Sequence, residues 1–233
     1  MKRKYEEVII DGESVLMPTK AWRQKQIDAS LRSKLLSSGL PLHVSSLSFD
    51  DYIGDDRAIP EKLKKYVSQF PERYSSIHLY FWSHDNGTQK TTMAGILGKE
   101  LVLKGYDVRF VLMGSLLSLL SSFNKDDDED HRIQELMNCD LLIIDDSFDT
   151  KKATIYKSGY QISFLDIFLR ERLEVKRKAT CFTSNFFIEE INEDIFGKSL
   201  KKLVHRNIID PFHFNVSYAE RNVFDAESLW GED

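Results

Sequence analysis

The chain has only two cysteines, Cys139 and Cys181, in 233 residues. Two thiols cannot build a disulfide framework or, by themselves, a structural zinc site. They read as reduced core residues of a cytoplasmic protein. Surplus positive charge is also missing: 32 Lys and Arg stand against 37 Asp and Glu, for a net charge of −5. The overall field therefore does not favour nucleic acid, and any DNA contact must come from a local patch. Long apolar runs are lacking too. The longest, from Phe110 to Phe123, is broken by serines and too short to cross a bilayer. The opening residues, Met1 to Glu7, contain no apolar segment of the secretory kind, so no membrane partner is expected. What is present is ordinary for a globular protein: 42% hydrophobic and 30% charged residues, enough to fill a core.

The chain changes character near Ser76. Before it, the spacing of Trp22, Ile27, Leu31, Leu35 and Leu36 predicts a helix over about Thr19 to Ser38, stopped by Gly39 and Pro41. A connector rich in Asp and Gly follows over 42–60, then a helix from Pro60 to about Phe70, closed by Pro71. After Ser76, short apolar strands alternate with helices. Strands are expected at Ile77–Trp82, Val108–Met113, Asp140–Ile144 and Ala179–Thr183. Helices are expected at Thr91–Lys104, Leu116–Phe123, near Ile133–Met137 and over Ser163–Val175. The acidic run Asp126–Asp130 reads as a solvated loop. This alternation defines an α/β fold, a parallel sheet flanked by helices.

The most informative stretch is Ile77 to Ala94, where an apolar strand enters a polar loop and Lys-Thr-Thr opens a helix. That is the layout of a phosphate-binding P-loop, in which backbone N–H groups and the helix dipole face the phosphates. Lys90 stands where the ammonium reaches the β- and γ-phosphates, and Thr91 where a hydroxyl ligates Mg²⁺. Asp85, Asn86, Gly87, Thr88, Gln89, Lys90, Thr91 and Thr92 form the candidate ATP-binding set. His84 and Gln89 occupy positions where glycine is usual. Asn86 and Gly87 supply positive φ readily, but the Cβ of Gln89 is expected to crowd the phosphates.

Further along, Cys139 to Asp146 is a buried strand ending in two carboxylates. Ligands of open parallel sheets sit at the carboxyl ends of strands. Asp145 is there assigned the Mg²⁺ role and Asp146 that of the base acting on water. Thr180 to Asn185 is a strand with a polar end, where Asn185 can orient that water or sense the γ-phosphate. Lys198, Lys201, Lys202, His205 and Arg206 make a basic helix, and an arginine there can serve a neighbour's phosphate as an arginine finger.

These motifs resemble the DnaC/DnaI-type replicative helicase loaders and the related IstB-type transposition ATPases, a branch of the AAA+ superfamily. The resemblance runs from about Ser38 to Arg221. It rests on the leader Ser38 to Pro41 with Ser48 to Tyr52, on Leu141 to Asp146, and on Arg170 and Arg172 leading into Thr183 to Asn185. It implies an AAA+ core over 41–233 behind a helical segment, 1–40, that would bind the helicase. It also implies a role for Asn185 as sensor, Arg206 as arginine finger and Arg221 as a second sensor. The partners implied are a replicative DNA helicase, single-stranded DNA (with Lys151 and Lys152 as contacts) and further copies of the chain. No cysteine precedes Cys139, so a zinc-bearing N-terminal domain is not expected. Three alternatives stay open: a non-hydrolysing adaptor of the same fold, an IstB-like transposition regulator, and a P-loop kinase of small molecules.

Overall fold

The computed structural model describes residues 5–10, 13–122, 127–149, 159–208 and 210–216. It opens with an antiparallel pair, β1 (Tyr5–Ile10) and β2 (Glu13–Pro18), with Val8 opposite Val15. Helical periodicity in the sequence points only to the element after it, α1 (Lys20–Ser37), whose first turn is capped by the Thr19 hydroxyl accepting from Trp22 N–H. The far end of α1 is tied to the rest of the fold. Ser38 O accepts from Phe110 N–H at 2.7 Å and Ser37 O from the Arg109 guanidinium at 2.9 Å.

After two short 3₁₀ turns, Leu42–Ser46 and Phe49–Asp51, come α2 (Ala58–Ser68) and β3 (Leu79–Trp82). Helix α3 (Lys90–Leu103) follows the loop, then β4 (Val108–Leu112), α4 (Met113–Leu120) and α5 (Asp127–Asn138). Next are β5 (Leu141–Ser147), α6 (Gly159–Arg170), β6 (Ala179–Ser184), α7 (Glu193–Asn207) and the short β7 (Phe212–His213). The expected parallel sheet is present, in the order β4-β5-β6-β3-β7 with every pair parallel.

Alternation along the strands builds two cores, one on each face. Leu79, Phe81, Leu141, Ile143, Ala179 and Cys181 face α2, α3 and the leader. Tyr80, Leu142, Ile144 and Phe182 face α4, α6 and α7. Helix α3 is buried on nearly every side, and Gly98 lets it lie close to the sheet. A Cβ there would stand 2.9 Å from both Ile143 Cδ1 and Leu40 Cδ2. Both cysteines are free and buried, as expected, and burial pushes the Cys139 thiol up to about 11.

Several expectations need correction. The acids Asp127, Asp128, Glu129 and Asp130 are the first turn of α5 rather than a loop, because carboxylates at a helix N-terminus meet its positive dipole end. Asp126 lies outside the described residues. Met113 starts α4 instead of ending a strand. The helix expected to run to Val175 ends as an α-helix at Arg170 and widens into a π turn, Glu171–Val175. The last described strand is short: Phe212 and His213 pair with β3. No helix among the described residues is long and apolar enough to cross a membrane.

Candidate nucleotide site

The polar loop of residues 83–89 leaves the carboxyl end of β3, the strand between β6 and β7, and enters α3. Ser83 N–H donates to Ser184 O at 3.2 Å, so the loop starts against the end of β6, beside Asn185. Gly87 (φ 75°) and Gln89 (φ 64°) both take the left-handed backbone that such a loop requires. Lys90 folds its ammonium into the loop, donating to Asp85 O at 2.8 Å, Ser83 O at 3.4 Å and Thr88 Oγ1 at 3.1 Å. It is 8% exposed. These oxygens satisfy the ammonium where phosphate oxygens could take over.

Beyond its Cβ, the Gln89 side chain points away from the loop. Its amide turns to the leader, where Oε1 accepts from Ile53 N–H at 2.9 Å and Nε2 donates to Asp51 O at 3.1 Å. His84 is exposed, edge-on to Trp82 and 3.7 Å from a Glu190 carboxylate oxygen. Asp85, Asn86 and Gly87 lie on the exposed rim, while Thr88 is buried. The Thr92 hydroxyl lies 3.5 Å from His43 Nε2 of the leader.

The carboxyl end of β5 meets this loop. Thr91 Oγ1 donates to Asp145 Oδ1 at 2.7 Å, joining the two residues assigned to Mg²⁺ from opposite ends of the motif. Sequence reasoning did not single out Thr183 on β6 as a functional residue. Its hydroxyl donates a short hydrogen bond to the same Asp145 Oδ1 and accepts from Asp146 N–H at 3.1 Å. A threonine two residues before Asn185 at a strand end was the available signal. Asp145 is 5% exposed, and Oδ2 accepts no hydrogen bond from the described residues. A hydroxyl beside a carboxylate with one free oxygen is a donor set suited to a hard cation such as Mg²⁺. Together with the left-handed loop and Lys90, these residues fit a magnesium-bound nucleoside triphosphate.

Asp146 sits next in the chain with φ 54°, a left-handed turn that breaks the β5 ladder between Ile144 and Ser147. Its backbone is thus turned differently from that of Asp145, and it lines the groove between β4, α4 and α5 together with Arg132 and Gln161. Asn185 is half-buried just past β6. Arg206 is in the last turn of α7, away from the loop in the chain, with its guanidinium paired to Glu174 and half exposed. Arg170 bonds Asp166 at 2.9 Å, and Arg172 is wholly buried. Lys151, Lys152 and Arg221 lie outside the described residues.

A parallel sheet with the phosphate loop on an inner strand, carboxylates on the strand two places away and a polar strand end between them defines a P-loop nucleotide-binding domain of AAA+ type. The chain belongs to the family described as IstB-like ATP binding protein, which matches residues 12–200. It is 30% identical over 156 residues to the replicative helicase loader DnaC of Escherichia coli strain K12, covering 58% of this chain and 59% of that one. The DnaC of Buchnera aphidicola from Acyrthosiphon pisum is 27% identical over 143 residues, covering 59% of this chain and 54% of that protein. The chain thus spans little more than half the length of the curated relatives it matches. Among solved structures, DnaI superposes with a TM-score of 0.59 at 15% identity, covering 77% of this chain and 93% of that one. The replication initiator DnaA, solved with AMPPCP and single-stranded DNA, gives 0.60 at 14% identity over 77% and 52%. At these identities the structures establish the shared fold.

Proposed function

We propose that this protein is an ATP-dependent loader that binds a hexameric replicative helicase and helps place it on single-stranded DNA. The observation carrying the nucleotide part is the Thr91–Asp145 hydrogen bond beside the Lys90 loop. The similarity to DnaC supports the helicase part. Bound ATP would supply a transferable phosphoryl group, with Mg²⁺ screening its charge. Lys90 would give up its loop carbonyls and turn its N–H donors to phosphate oxygens. Thr91 and Asp145 would hold the cation, Asp146 would take a proton from water at its carboxylate, and Asn185 would orient that water. Thr88, Gly87 and the rim residues Asp85 and Asn86 would line the phosphates.

In this reading AAA+ modules stand side by side, and Arg206 leaves Glu174 to reach the nucleotide of the next subunit. Residues 1–40 are the helicase-binding segment, with Trp22, Leu31 and Leu35 as its apolar contacts, and 41–233 the ATPase domain. Arg221 would sense the nucleotide from the same subunit, and Lys151 and Lys152 would touch DNA.

The test is capture of the replicative helicase with ATP and with ADP, alongside ATP turnover with and without single-stranded DNA. We expect capture to depend on the nucleotide, turnover to respond to helicase or DNA, and both to be lost in Lys90→Ala and Asp145→Asn. Failure to bind helicase in either state rejects the loader. Helicase binding indifferent to both substitutions makes the protein an adaptor of the same fold. Binding of duplex DNA and a transposase in place of a helicase makes it an IstB-like regulator.

A further inference from the structure

Gln89 is the one loop residue that departs from the usual glycine and still takes glycine's backbone conformation, at φ 64°. A left-handed glutamine is strained relative to glycine, so something must hold it there. The two hydrogen bonds to Ile53 N–H and Asp51 O do so. They copy the pairing of a neighbouring backbone strand: one acceptor and one donor, two residues apart on the leader.

The leader itself is anchored on its other side. Tyr52 is buried with its ring edge-on to Phe214, and Asp55 N–H donates to Asn215 O at 3.0 Å. Asn215 Nδ2 returns a bond to Asp55 Oδ2 at 2.8 Å, and the Arg57 guanidinium donates to Tyr52 O at 2.6 Å. The leader is therefore fixed to the segment after β7, and Gln89 links that assembly to the phosphate loop.

We infer that Gln89 is a positioning residue: a strut that replaces the freedom of glycine with two leader contacts and holds the loop ready to receive phosphate. The inference rests on the nucleotide reading of this site and extends it. Its consequence runs against motif logic. Gln89→Gly, which restores the common P-loop residue, weakens nucleotide binding, because the loop keeps access to the left-handed region but loses the contacts that select it.

The experiment combines titration of the full chain with MANT-ATP and Mg²⁺, hydrogen exchange at the Ile53 amide, and thermal melting, for wild type, Gln89→Gly and Lys90→Ala. Loss of two modest hydrogen bonds predicts binding weaker by about five- to tenfold in Gln89→Gly, with Ile53 exchanging at least about tenfold faster and the melting temperature little changed. Gln89→Gly binding as tightly as wild type, or more tightly, overturns the inference. So does an Ile53 amide whose exchange is unchanged. A wild-type chain that binds no MANT-ATP, or a Lys90→Ala chain that binds it equally well, sinks the nucleotide reading instead, while Ile53 exchange still decides whether the strut exists.

Discussion

Replacing Arg172 by methionine should destabilise the whole domain while leaving the nucleotide loop untouched. Arg172 lies in the π turn after α6 with no solvent exposure. Its five N–H groups meet five acceptors: Thr180 Oγ1 at 3.0 Å, Leu136 O at 2.9 Å, Met137 O at 2.8 Å, Cys139 O at 3.1 Å and Ala179 O at 2.7 Å. Leu136 and Met137 are in the last turn of α5, where carbonyls lack helical partners and the dipole is negative. Burial pulls the guanidinium pKa down, which the adjacent Cys139 side chain and then the more distant Asp140 and Asp107 oppose. Methionine fills similar length but donates nothing, so four buried carbonyls lose a partner at about 1–3 kcal/mol each. Relief of the buried charge offsets much of that, leaving a net loss of about 3–5 kcal/mol from the unpaired carbonyls. For a domain of this size that is a fall of about 6–20 °C in melting temperature, at about 2–4 °C per kcal/mol. Arg172→Lys, with three donors for five acceptors, should lose about half as much. Circular dichroism melts and urea titrations measure both. A methionine variant melting within about 3 °C of wild type would refute the reasoning.

Thr91→Ala should weaken MANT-ATP binding about tenfold with Mg²⁺ and less than about twofold in EDTA, since the hydroxyl acts through the cation; equal losses in both would remove Thr91 from the metal role. Arg206→Ala should leave nucleotide affinity within about twofold yet cut turnover by about 10³ at concentrations where subunits assemble; unchanged turnover at those concentrations excludes it as an arginine finger. His78 gives a pH prediction. Burial first, then the Arg172 charge, lowers its pKa from 6.5 to about 4. The folded chain therefore binds fewer protons than the unfolded chain between those values. This stability is present in full above pH 6.5 and is lost as pH falls towards 4, in all about 3 kcal/mol at about 1.4 kcal/mol per pH unit. Urea midpoints at pH 7 and pH 5 should differ less in His78→Gln than in wild type, and an equal difference refutes the assignment.

The α/β alternation was legible because each strand buries both faces and each following helix starts where a loop residue ends the run. Leu141 to Asp146 is the clearest case, with its side chains dealt alternately to the two cores. The loop, Lys90, Thr91 and Asp145 could be placed from spacing because strand ends of a parallel sheet converge. The β1–β2 pair carries a signal that helical periodicity passes over, Asp11-Gly12 between two strand-like runs. The acidic turn of α5 is ambiguous in sequence, because a run of carboxylates suits both a solvated loop and the positive end of a helix dipole. The direction of the Gln89 side chain could not be read at all, since its partners Asp51 and Ile53 are far away in the chain and use only backbone atoms. Thr183 was hidden likewise: in sequence it is one more strand threonine, and only the fold brings it to Asp145.

The Thr183 hydroxyl has a directional role. Its single hydrogen is committed to Asp145, so its lone pair must be the one that receives the Asp146 N–H. The chain Asp146 to Thr183 to Asp145 therefore has one polarity and cannot be reversed without breaking both bonds. Displacement of the Asp145 carboxylate would pull on β6 itself. On its outer face β6 carries Phe182, packed in the same core as Leu200, Leu203 and Val204 of α7, the helix that ends with Arg206. A movement of the carboxylate proposed to hold the metal thus has a mechanical path, from the Thr183 hydroxyl through the rings of Phe182, Phe148 and Phe196, to the helix proposed to face the neighbouring subunit.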